Sequence, residues 1–207
     1  MSAKDVQTID TPTREQEQQT MAPSCTCDNT EDPSSTFEFE LEDPIYIKVK
    51  NFKTLFAGDT QFQNVAILQH ERIGKVLMLD GVEQSNSVDD TTYHETLVHP
   101  AMIAFSSSNG SGPKRVLIAG GGEFATAREV LKHKSVEQCD MIDIDGELVE
   151  MCKQHWPEMH QFCYQSKKLN VIIGDAKAFI EQQAKDDFYD VIIMDLSDPN
   201  EGGPCYQ

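Results

Sequence analysis

Residues 114–145, KRVLIAGGGEFATAREVLKHKSVEQCDMIDID, carry the reading of the fold. Val116 to Ala119 form a short apolar run that breaks into Gly120, Gly121 and Gly122. An amphipathic segment follows from Phe124 to His133, and a second apolar run reaches Asp143 and Asp145. Strand, glycine turn, helix, strand and acid is the order of a nucleotide-binding βαβ unit. The distance from Gly120 to Asp143 is near the roughly 20 residues that separate turn and ribose-binding acid in such units. Gly120, Gly122 and Ala125 meet the GxGxxA form of the dinucleotide fingerprint, a weak signal by itself.

Glu123 argues against a dinucleotide. A carboxylate in the turn repels a pyrophosphate arriving at the helix N-terminus, and a ligand with positive charge and no phosphate removes the conflict. Adenosine joined to a sulfonium centre, as in S-adenosylmethionine or its decarboxylated form, has that character, with Asp143 as the acid for its ribose hydroxyls. The plainer alternative for Glu123 is a helix-start acid that interacts with the dipole for tenths of a kcal/mol.

The bulk charge points the same way. With 35 acidic against 17 basic residues and a formal charge of -18, the chain lacks the basic footprint that nucleic acid requires. A cationic small molecule is the natural client of an acidic cleft, although acidity also serves solubility alone. No stretch approaches the roughly 18 apolar residues of a membrane span, and the first thirty residues are polar rather than signal-like. Cys25, Cys27, Cys139, Cys152, Cys163 and Cys205 follow no disulfide framework or zinc spacing, which suits a reducing compartment. The expectation is a soluble cytoplasmic protein without membrane or nucleic-acid partners and without a metal.

Upstream of the glycine stretch, residues 1–35 are rich in Thr, Gln, Ser, Glu and Pro and bury too little to offset ordering, which predicts a disordered tail. Residues 36–86 read as a small antiparallel β domain. Phe37, Phe39 and Leu41, then Ile45, Ile47 and Val49, alternate with polar residues, the period of half-buried strands. Val65 to Gln69 and Lys75 to Leu79 flank ERIG, where Gly74 supplies a hairpin turn. Asp89 and Asp90 open a helix that runs to Phe105, with a kink or break expected at Pro100.

Downstream, a helix over residues 146–155, a strand over Leu169 to Ile173 ending at Asp175, a helix over 176–184 and a strand over 190–194 ending at Asp195 continue the βα alternation. Four strands alternating with helices predict an α/β fold with a parallel, doubly wound sheet over residues 87–207. Ligands of such sheets lie beyond the carboxyl ends of the strands, here Gly120 to Glu123, Asp143, Asp175 and Asp195. Asp175 reads equally as a cap for the next helix. Asp195 and Asp198 pair a carboxylate able to accept an amine proton with one able to hold a distal ammonium.

Five ordered motifs, GKVLMLDG (74–81), Tyr93-His94-Glu95, VLIAGGGE (116–123), GDA (174–176) and DLSDP (195–199), resemble the polyamine aminopropyltransferases over roughly Asp43 to the C-terminus. YHE, GGGE and the ending DLSDPNEGGPCYQ look most like the thermospermine synthase branch, since spermidine synthases typically carry YQE, GGGD and SSDP. The resemblance implies an N-terminal β domain followed by a Rossmann-like, S-adenosylmethionine-dependent methyltransferase-type sheet. It implies transfer of the aminopropyl group of decarboxylated S-adenosylmethionine to a polyamine, spermidine to thermospermine foremost, with spermidine or spermine synthesis as alternatives. Methylthioadenosine is released, and no metal or other cofactor is required.

The same resemblance implies the roles. Asp195 matches the general base and Tyr93 a tyrosine that orients the amine. Gln63, Glu123, Asp143, Asp175 and Ala176, with Gly120, Gly121 and Gly122, match the donor site. Asp198, Gln84 and His94 match the acceptor side. Dimers or tetramers through the β domain are implied as well.

Two departures stand out. Phe124 occupies a position where the family has a small residue, and its ring either crowds the donor or turns into the core. The chain also stops at Gln207, which predicts a C-terminally truncated sheet with an unpaired edge. Two other readings stay open: an S-adenosylmethionine methyltransferase on the same fold, although Ala119 stands where those enzymes usually have an acid, and an inactive paralogue or fragment that binds ligand or only dimerises.

Overall fold

In the computed structural model the described residues are 36–41, 45–182 and 186–197; the tail expected over 1–35, the acceptor-side Asp198 and the chain end lie outside them. Strands β1 (Thr36–Leu41) and β2 (Ile45–Lys50) pair antiparallel with Phe39 opposite Ile47. Strands β3 (Lys53–Asp59), β4 (Asn64–His70), β5 (Gly74–Leu79) and β6 (Val82–Asn86) follow as an antiparallel meander in chain order. The β4–β5 hairpin closes with His70 opposite Gly74, and Gly74 takes the left-handed conformation at φ 83° that its turn requires. β4 is apolar on both faces: Val65 and Ile67 pack with Leu77, while Ala66 and Leu68 pack with Phe52, Val76 and Met78.

Helix α1 (Asp90–Asn109) leads to β7 (Arg115–Gly120), α2 (Ala125–Leu131), β8 (Gln138–Asp143), α3 (Gly146–His155), the single turn α4 (Pro157–His160), a 3-10 turn (Cys163–Gln165), β9 (Leu169–Ile173), α5 (Ala176–Gln182) and β10 (Val191–Asp195). The four strands β7 to β10 form one parallel sheet in the order β10-β7-β8-β9. The α/β architecture is therefore the expected one. The strand order reverses between β7 and β10, which makes the carboxyl ends of these two neighbours the switch point where such sheets bind ligands. Asp195 at the end of β10 lies in register with Gly120 at the end of β7.

Helix α1 runs unbroken through Pro100. Proline removes one helical hydrogen bond, but Val98 and Met102 on either side are fully buried against β7, α2 and β10, and this packing keeps the helix continuous. A second core joins the two sheets: Val65, Ile67 and Leu77 of the meander contact Ala125, Leu148, Cys152, Trp156 and Met159. Lys75 reinforces the joint, donating to the His155 carbonyl at 2.8 Å and to Glu158 at 2.7 Å. The meander is thereby fixed beside the switch point. Among the described residues no helix is long and apolar enough to cross a membrane.

Candidate active site

A cavity of about 690 Å³ opens at the switch point, bounded by the glycine turn, the ends of β8 and β10, the start of α5 and the edge of the meander. Its glycines are required by contact as well as conformation. A Cβ on Gly120, at φ 84°, would lie 2.0 Å from the Asp195 carbonyl oxygen, and one on Gly122 would lie 2.9 Å from Asp143 Oδ2. Side chains at these positions would push away the two acids that face each other across the turn.

Of the sequence-predicted residues, Gly120, Gly121, Gly122, Gln63, Gln84, Tyr93, Glu123, Asp143, Asp175, Ala176 and Asp195 all line this cavity. Among the described residues the lining carries five acids, Glu123, Asp143, Asp175, Glu181 and Asp195, against one cation, Lys177. Asp175 also accepts from the Lys177 and Ala178 backbone N–H groups at 2.8 and 3.1 Å, so its capping and cavity-facing positions coexist. Gln63 reaches the site from the loop before β4, and its amide nitrogen donates to Asp145 Oδ2 at 3.0 Å while Thr60 donates to the same oxygen at 2.6 Å. Asp145, read in the sequence only as part of an acidic cluster, is thus the brace that holds the meander's glutamine in place.

The carboxyl groups on the cavity floor are electrostatically unequal. Burial pushes Asp195 up to about 7, reinforced by the charge of Glu123 and opposed by the Thr126 hydroxyl that donates to Oδ2 at 2.6 Å and by His94. Burial likewise raises Asp143 to about 6, against the backbone N–H of Asp145 at 2.9 Å and with the Glu123 charge adding to it. Glu123 goes the other way. Burial opposes its ionisation, but hydrogen bonding and charge from His94, its own backbone N–H and the Ser85 hydroxyl at 2.9 Å hold it below the usual carboxylate range.

His94 departs from its expected place on the acceptor side. It is 1% exposed and is not among the residues lining the cavity. Its Nε2 lies 3.3 Å from Glu123 Oε1, and its Nδ1 lies 2.8 Å from the Asp90 carbonyl and 2.9 Å from Asp90 Oδ1. His94 occupies this position because it follows Asp90 by one helical turn on α1, the i,i+4 spacing that brings side chains together. His94, Glu123 and Asp195 bring donor atoms within 4.8 Å of one another. Burial disfavours a charged imidazole, but its partners are a backbone carbonyl and two carboxylates, and the carboxylates raise its pKa to about 10, which favours a doubly protonated ring over a metal ligand.

Phe124 resolves the choice that its sequence position posed. Its ring is fully buried, away from the cavity, against His160 and Tyr164. Its backbone takes the left-handed conformation at φ 71°, which costs an L-residue about 1–2 kcal/mol and which glycine would avoid. Ser85, Thr126, Asp90 and Arg128 were not legible as site residues. The Asp90/His94 spacing was the one local signal, and nothing local marks Ser85.

Residues 90–204 match the family model described as the spermine/spermidine synthase domain, and residues 39–86 match the spermidine synthase tetramerisation domain. A polyamine aminopropyltransferase of Synechococcus sp. is 49% identical over 148 residues, covering 72% of this chain and 46% of the relative. The thermospermine synthase ACAULIS5 of Arabidopsis thaliana is 38% identical over 187 residues, covering 90% of this chain and 52% of the relative. Among solved structures, a spermidine synthase in complex with the transition state analogue AdoDATO superposes with a TM-score of 0.68 at 29% identity, over 76% of this chain and 51% of that one. The spermidine synthase of Thermotoga maritima gives 0.66 at 29% identity, over 73% of this chain and 50% of that one. The chain spans about half the length of these relatives.

Proposed function

This chain belongs to the spermine/spermidine synthase family, and from that premise we propose that its cavity transfers the aminopropyl group of decarboxylated S-adenosylmethionine to a polyamine. The observation that carries the reading is the opposed tuning of two neighbouring acids, Glu123 held ionised and Asp195 raised to about 7. The donor brings a sulfonium and an ammonium, and the acceptor is a polyammonium, so the reactants repel. Fixed carboxylates offset that repulsion and orient the attack. Glu123 holds the donor ammonium, Asp143 the ribose hydroxyls, Asp175 and Ala176 the adenine end, and Gln63 the donor from the meander side.

The acceptor nitrogen attacks the carbon beside sulfur. The new C–N bond takes the nitrogen lone pair, the C–S bond breaks with its electrons onto sulfur, and neutral methylthioadenosine leaves. The surplus proton passes to Asp195, whose affinity for a proton near neutrality suits a general base. Tyr93 and Gln84 border the path of the acceptor, and Asp198 matches the acid for its distal ammonium. No metal or further cofactor enters this scheme.

Spermidine is the proposed acceptor and thermospermine the proposed product. The GGGE and YHE motifs support this, as does the 38% identity to a thermospermine synthase over 90% of the chain. The same reading divides the chain into a tail over 1–35, a β domain over 36–86 that assembles a dimer or tetramer, and a catalytic domain from 87 onward. The match of residues 39–86 to a tetramerisation domain supports that assembly. It also extends to a cytoplasmic location, for which the free thiols Cys139, Cys152 and Cys163 speak.

Incubation with spermidine and either decarboxylated S-adenosylmethionine or S-adenosylmethionine, followed by chromatography, tests the proposal. Equal amounts of methylthioadenosine and a tetraamine from the decarboxylated donor are expected. A methylated amine formed from S-adenosylmethionine would overturn it in favour of methyl transfer.

A further inference from the structure

Behind Glu123 lies a row of side chains of alternating charge that does not face the cavity. Arg128, 5% exposed, forks onto Asp90, with Nη2 3.0 Å from Oδ1 and Nη1 3.1 Å from Oδ2. Asp90 in turn holds His94 Nδ1, and His94 Nε2 faces Glu123 at 3.3 Å. A neutral imidazole with its proton toward Asp90 would aim a lone pair at the Glu123 carboxylate. Burial lowers the pKa of the ring, but hydrogen bonds and charge from Asp90 and Glu123 outweigh it and raise the ring to about 10, which favours the doubly protonated form. Arg128 is anchored by the Met159 carbonyl and by Glu129, which fixes the far end of the row.

We propose that Asp90 and His94 are positioning residues that keep Glu123 a fixed anion before the donor arrives, so that Glu123 binds the donor's ammonium and Asp195 is left as the acid that takes up a proton. Glu123 and Asp195 bring carboxyl oxygens within 4.8 Å of each other, so with no cation beside them each charge disfavours the other. His94 supplies that cation on the Glu123 side, Asp90 keeps the imidazole charged and aligned, and Arg128 keeps Asp90 charged. The result is a division of labour between two chemically similar groups. This inference rests on the donor reading given above and adds what selects the donor's charge.

The test compares two compounds that share the adenosine and thioether frame but differ in charge. Equilibrium calorimetry without acceptor measures decarboxylated S-adenosylmethionine and methylthioadenosine against wild type, Asp90→Asn and His94→Gln. Both variants are expected to bind the cationic donor at least tenfold more weakly, and the neutral product within twofold of wild type. Retained product binding also reports that the variants fold. In a Glu123→Gln background the penalty of either substitution on donor binding is expected to vanish, since both act through Glu123.

Equal loss of both compounds, or penalties that persist in the Glu123→Gln background, would overturn the inference while leaving the donor reading intact. A wild-type chain that binds neither compound would overturn the donor reading and the inference with it.

Discussion

The two sheets that meet at the cavity contribute different chemistry. The antiparallel meander presents neutral polar groups, Gln63, Gln84 and Ser85, whereas the parallel sheet and its connections present Glu123, Asp143, Asp175 and Asp195. The reason lies in the backbone. A parallel strand that ends at a switch point delivers its next residue directly into the crevice, so a single acid after each strand suffices. The meander meets the cavity with its edge and loops, and orients its side chains by hydrogen bonds to the acids across the gap. Gln63 is held by Asp145 and Ser85 is spent on Glu123. Charge resides in the sheet that binds, and alignment comes from the sheet that leans on it.

Substitutions on the two sides are expected to differ in size accordingly. Asp195→Asn is expected to lower kcat by about 10²–10⁴-fold, the range of a positioned general base, and to weaken the cationic donor as well, because the ionised carboxylate that attracts it is lost. Turnover and calorimetry on the same preparation check this, and full turnover would remove Asp195 from the role. Asp143→Ala is expected to weaken methylthioadenosine by about 10–100-fold, from loss of about 1.5–3 kcal/mol of charged hydrogen bonding. Gln63→Ala, on the neutral side, is expected to raise the donor KM only severalfold, the loss of about 1 kcal/mol. A Gln63 effect as large as that of Asp143 would erase the contrast between the two sheets.

Phe124→Gly tests the frame rather than the floor. It relieves about 1–2 kcal/mol of left-handed backbone strain but removes a buried ring worth about 3–5 kcal/mol. A net destabilisation of about 2 kcal/mol in denaturant unfolding is expected, and a stabilised variant would mean that the ring contributes little to the core.

Much of this arrangement could be read from the chain because the parallel sheet writes it locally. An apolar run, a glycine turn and an acid after each strand mark β7, β8, β9 and β10, and the acids Glu123, Asp143 and Asp195 do converge. Strands β3 and β6 were not anticipated. KTLFAGD and VEQSN lack clean alternation, and pairing with β4 and β5 defines them more than their own pattern does. The helix does not break at Pro100, because the packing of Val98 and Met102, which local propensity cannot register, holds it. The ordering of the acids by proton affinity was illegible for the same reason. It depends on His94, Asp90 and Thr126, whose contacts with Glu123, Arg128 and Asp195 span 29, 38 and 69 residues.

The account turns on Asp195 being the acid that titrates near neutrality beside an already ionised Glu123. Its raised value means that it is partly protonated at pH 7, and a bound cation lowers that value, so the donor must expel a proton. Calorimetry of decarboxylated S-adenosylmethionine at pH 7 in buffers of different ionisation enthalpy measures this directly. Release on the order of half a proton is expected for wild type, from a group with a pKa of about 7. Little release is expected for Asp195→Asn or when neutral methylthioadenosine is the ligand. Donor binding without proton release, or release undiminished in Asp195→Asn, would contradict the assignment.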